Sequence, residues 1–150
     1  MMEGLYEQLK RHLKPVIYFT VIIFAQAIPH ELGHAAIAIL LGFKVTGISW
    51  DLFNLSFVSI DTSFNSDLFK LVLLGGGWGV CLVFTAIYWF SHDPALRLVS
   101  RIFAIYGFFG GIFEAFFTHI YESMQLLSWI LLTYCIVIVF IYDGLTKRKA

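Results

Sequence analysis

Apolar residues fall into four long runs separated by short polar breaks. The first extends from Val16 to about Phe43 and is interrupted by Pro29, His30, Glu31 and His34. The second, from about Leu68 to Phe90, contains Gly75, Gly76, Gly77 and Gly79. The third, from about Ala95 to Ile120, carries Glu114, and the fourth, from about Met124 to Tyr142, has no charged residue. Each meets or approaches the roughly 20 apolar residues that a helix needs to cross a bilayer. Lipid offers no partners to backbone N–H and C=O groups, so such runs cross as helices. Between the first two runs the period changes. Val45 to Asp61 interleaves Ile48, Trp50, Leu55, Phe57 and Ile60 with polar residues, and Asp51 to Asn54 is a candidate turn. That near-alternation predicts a short β-hairpin at the membrane surface. The expected fold is an all-α integral membrane protein of about four transmembrane helices, with the hairpin between the first and second. It forms one membrane-embedded domain over residues 1–150.

Composition sharpens this picture. The chain is 59% apolar, 18% aromatic and 13% charged, against about 45–50% apolar and about 25% charged for a soluble domain. Disorder, a collagen-like repeat and a disulfide scaffold are excluded. Ten acidic and ten basic residues cancel, leaving no bulk field to attract nucleic acid. Cys81 and Cys135 both lie inside apolar runs and read as small core residues. The basic residues are unevenly placed. Lys10, Arg11 and Lys14 precede the first run, Arg97 and Arg101 open the third, and Lys147, Arg148 and Lys149 follow the fourth. Four crossings put all of these on one side and leave Lys44 and Lys70 on the other, so by the positive-inside rule both termini are expected on the cytoplasmic side of the cell membrane. Ala25-Gln26-Ala27 mimics a signal-peptidase site, but Glu3 and Glu7 spoil a clean basic flank, and cleavage would sever the first helix just before its polar cluster.

That cluster carries the chemistry. Pro29-His30-Glu31-Leu32-Gly33-His34 places two histidines four residues apart, on one face of a helix. This spacing suits one Zn²⁺, with Glu31 beside it as the base for a metal-activated water. Two histidines and a glutamate inside an apolar helix are costly unless they face a site. Gln26, four residues before His30, extends the polar stripe, either as a partner to the ligands or as an interhelical hydrogen-bonding group. Pro29 lacks a backbone donor, so a kink is expected near Ala25. The glycines of the second run read mainly as helix-packing contacts.

The segment His30 to Ala35, HELGHA, lies in an apolar helix and is followed by a β-like segment and a glycine-rich apolar helix. This order resembles the site-2 protease family of intramembrane zinc metalloproteases, over about Val16 to Phe90. The resemblance implies that His30 and His34 bind zinc and that Glu31 is the catalytic base. It also implies that the β segment offers an edge to an extended substrate. That family takes its third ligand from an aspartate followed by glycine, on a later helix that also carries an asparagine and a proline. Here the corresponding pair, Asp143-Gly144, lacks those companions and ends the last apolar run.

Depth selects a different third ligand. Counting helical rise from Val16, His30 lies about 21 Å in and His34 about 27 Å. Counting from Leu98, Glu114 lies about 24 Å in and His119 about 31 Å, whereas Asp143 is some 20 Å from the histidines. Glu114 is therefore the preferred third ligand, with His119, Glu122 and Asp143 as alternatives. The expected function is a zinc metallopeptidase cutting a membrane-associated protein or peptide. The alternative is a non-proteolytic membrane metal-binding protein, a degenerate protease relative or a carrier.

Overall fold

The computed structural model describes residues 2–49, 57–61, 66–117, 129–137 and 139. Helix α1 (Met2–Ala25) leads into α2 (Ala27–Leu40). A hairpin of β1 (Lys44–Ser49) and β2 (Phe57–Asp61) follows, then α3 (Ser66–Phe90) and α4 (Pro94–Phe117). Residues 129–137 are also helical. Among the described residues, three segments are long and apolar enough to cross a membrane: Leu13–Leu40, Asp67–Phe90 and Pro94–Phe117. The ends of the fourth apolar run, with the turn at Asp51 to Asn54 and Trp50, lie outside the described residues.

Local chemistry sets each boundary. The helix is interrupted at Gln26, where Pro29 cannot donate to the Ala25 carbonyl. Backbone bonds resume at once, from Gln26 N to Ile22 O at 2.8 Å and from His30 N to Gln26 O at 3.1 Å, so α1 and α2 form one interrupted span. The span ends at Gly42, whose φ of 83° suits a residue without a Cβ. Gly42 N bonds Ile39 O at 3.0 Å and Phe43 N bonds Ala38 O at 2.9 Å, the paired closure of a Schellman turn. The chain then enters the hairpin, which is antiparallel, with Lys44 opposite Asp61, Ile48 opposite Val58 and an irregularity between Val45 and Gly47. Thr46, at that irregularity, donates its hydroxyl to Ser59 O at 3.1 Å.

At the other end of the bundle, Asp93 opens α4. Its Oδ1 accepts from Ala95 N at 2.9 Å and from Leu96 N at 3.3 Å, an N-cap followed by proline at the first helical position. Its Oδ2 accepts from Lys14 and from Tyr18 Oη, the latter at 3.2 Å. The Lys14 hydrogen bond holds the Asp93 carboxyl below the usual carboxylate range, aided by the two backbone donors. This contact puts the basic flank of α1 and the α3–α4 connection at one end. The hairpin and Lys70 lie at the opposite end of the spans.

The apolar core occupies the Asp93 half of the bundle. Ile22, Val80, Phe84, Val99, Ile102, Phe103, Leu132, Cys135 and Val139 pack together there. Outward positions such as Val21, Leu82, Trp89 and Trp129 are exposed, as lipid-facing side chains of a membrane bundle are. Helix α3 is the centre of the assembly, and its glycines bring its neighbours close. A Cβ on Gly79 would overlap the Pro29 carbonyl of α2, and one on Gly77 would overlap Gly107 and Gly111 of α4. The helices therefore meet backbone to backbone, as small residues permit in membranes.

Candidate metal centre

Successive residues of an α-helix are rotated by about 100°. Gly75 and Gly79 thus share the α3 face that meets α2, and Gly77 lies on nearly the opposite face, against α4. Gly76 falls between them, at the floor of the space flanked by α2 and α4. Among the described residues, no Cα of α2 comes within 8 Å of a Cα of α4. Polar side chains close that gap.

His30 and His34 project from α2 with Nε2 atoms 3.1 Å apart. Their rings meet edge to face, with centroids 4.6 Å apart and an interplanar angle of 87°. Glu114 reaches across from α4, with Oε1 3.3 Å from His34 Nε2 and Oε2 3.4 Å from His30 Nε2. The side chains of His30, His34 and Glu114 are 32%, 10% and 24% exposed, so the cluster is largely withdrawn from its surroundings while His30 stays reachable. Glu31 is buried and within electrostatic reach of both histidines and Glu114.

The donor set fits zinc. Bonds of 2.0–2.1 Å in tetrahedral geometry separate neighbouring ligand atoms by about 3.3 Å. The two imidazole nitrogens are 3.1 Å apart, and each has a different Glu114 oxygen near it, at 3.3 and 3.4 Å. One atom from each residue can be chosen so that all lie within 4.8 Å of one another. Two neutral imidazoles and one carboxylate leave a fourth position open, the pattern of catalytic zinc sites. His34 is also oriented from behind, because its Nδ1 lies 2.8 Å from the Val72 carbonyl oxygen of α3. A carbonyl only accepts, so Nδ1 donates, and in the neutral imidazole Nε2 keeps its lone pair.

The structure thus brings together His30, His34 and Glu114, with Glu31 alongside. His119, Glu122 and Asp143 lie outside the described residues. The Gln26 Oε1 atom is buried and makes no hydrogen bond among the described residues. Two groups at the site carry no sequence signal of their own. The Val72 carbonyl is backbone, and Gly76 is one glycine among several. A Cβ on Gly76 would overlap the His34 ring and lie 2.8 Å from His30 Cε1. Comparison with models of known families, with curated proteins and with solved structures gives no match for this chain.

Proposed function

We propose that this protein is an intramembrane zinc metallopeptidase that hydrolyses a peptide bond of a membrane-associated protein. The observation that supports this most is the convergence of His30, His34 and Glu114, from two helices whose backbones do not touch, beside the buried Glu31. Nε2 of each histidine and the carboxylate of Glu114 would hold the ion. When bound, zinc supplies Lewis acidity toward a peptide carbonyl and makes water reactive near neutral pH. Glu31 takes the proton of the attacking water on a carboxylate oxygen and returns it to the nitrogen of the departing amine. Burial of the cluster limits competing solvent, and the exposed edge of His30 faces the approaching chain. In this reading residues 124–142 form a fourth crossing, and both termini, with eight of the ten basic residues, lie on the cytoplasmic side of a cell membrane.

A second reading, a membrane metal-binding protein without hydrolytic activity, draws on the third donor. It is a glutamate on the helix directly after α3, and not an aspartate followed by glycine. The two readings separate on Glu31→Gln, assayed in liposomes with a labelled membrane-spanning peptide. A peptidase loses cleavage while its zinc content is unchanged. Cleavage by Glu31→Gln at the wild-type rate would overturn the role of Glu31. Zinc retention with no cleavage by wild type of any of a panel of membrane peptides would favour the second reading.

A further inference from the structure

We infer that Gly76 and the Val72 carbonyl act together as a template for His34, making Gly76 a positioning residue of the site. In an α-helix the carbonyl of residue 72 accepts from the N–H of residue 76, which uses one oxygen lone pair. The second lone pair is available only to a group that can lie against the helix backbone. Residue 76 sits one turn beyond residue 72, on the approach that the His34 imidazole takes. With hydrogen alone at position 76, the ring descends onto α3 and Nδ1 reaches Val72 O at 2.8 Å. A methyl group there would overlap Cε1 and Nε2 of His34 and press on His30 Cε1. Both rings would have to lift by about 1 Å to regain ordinary contact, and the hydrogen bond to Val72 would be lost.

The same contact selects the tautomer. Val72 O fixes Nδ1 as a protonated nitrogen, and Nε2 is turned toward His30 and Glu114. Gly76 differs in this from Gly75, Gly77 and Gly79, whose added Cβ atoms meet backbone or the Ile37 side chain and not a histidine. The inference rests on the metal reading only for the use made of Nε2; the ring placement and tautomer stand apart from it.

The test compares Gly76→Ala with Gly110→Ala, whose Cβ meets nothing within 4 Å. Nitrogen NMR of ¹⁵N-histidine-labelled, metal-free protein in bicelles reads the protonation of His34 Nδ1, assigned by its loss in His34→Asn. Wild type and Gly110→Ala should carry the proton on Nδ1 in a strong hydrogen bond, and Gly76→Ala should lose that signature. Zinc titration should show affinity about 10–100-fold weaker in Gly76→Ala, the usual effect of removing a ligand's supporting partner. An unprotonated Nδ1 in wild type, or a His34 signal unchanged in Gly76→Ala, would overturn the inference. The wild-type spectrum decides alone if Gly76→Ala does not fold. Failure of wild type to bind zinc would count against the metal reading and leave the NMR test of Gly76 intact.

Discussion

Glu114 Oε1 lies 3.3 Å from His34 Nε2, although the helices that carry them, α4 and α2, have no Cα atoms within 8 Å of each other. The cluster is thus a side-chain bridge between two helices that otherwise meet only through their neighbours, α3 and α1. A metal held there would tie the two together. Zinc should therefore stabilise the wild-type bundle against thermal unfolding, by about 2.7 kcal/mol at a free concentration 100 times the dissociation constant. Chelation should reverse the shift, and Glu114→Ala should show little of it. Thermal unfolding in detergent with and without zinc measures this, and equal zinc-dependent shifts in wild type and Glu114→Ala would argue against the bridge.

The glycine crossings make a separate prediction. Gly77→Ala drives a methyl group into the backbone of Gly107 and Gly111, where no side chain can move aside. Overpacking of this kind costs about 1–3 kcal/mol. Gly110→Ala meets open space and gains helix propensity, up to about 1 kcal/mol on scales measured in water. Unfolding of the two variants by denaturing detergent should shift in opposite directions.

Asp93 gives the connection between α3 and α4 a pH dependence. Its carboxyl titrates below the ordinary range because Lys14 and two backbone N–H groups hold the charged form. A lowered folded-state pKa contributes stability that is present above the unfolded pKa and lost as pH falls through the folded one. Wild type should therefore lose stability on acidification through the carboxylate range more steeply than Asp93→Asn. Melting curves collected over that range check the sign. The effect should be small, since the pair is exposed and screened.

Much of the fold was legible because its breaks are chemical. Pro29 marks the break in the first span, whereas the closing turn at Gly42 and the cap at Asp93 emerge only in the structure. The alternation from Val45 onward marked the strands, although the irregularity beside Thr46 left no trace in it. Depth along the helices paired Glu114 with the two histidines, since rise per residue is fixed and both runs start from one side. Azimuth was not legible in the same way. In lipid the outward and inward faces of a helix are equally apolar, so periodicity does not say which neighbour a residue meets. That is why Gly75, Gly76, Gly77 and Gly79 read as one packing motif, whereas they serve α2, the histidines and α4 separately. The same blindness hid the Val72 carbonyl.

The central claim is that His30, His34 and Glu114 together hold one zinc ion. Zinc-edge X-ray absorption of the purified, zinc-loaded protein, read for wild type beside Glu114→Ala, tests it most directly. The account predicts one zinc per chain, with two imidazole nitrogens at about 2.0–2.1 Å and carboxylate oxygen at about 2.0–2.2 Å. Glu114→Ala should lose that carboxylate contribution or the metal itself. Wild type without stoichiometric zinc, or a coordination shell identical in the two proteins, would contradict it.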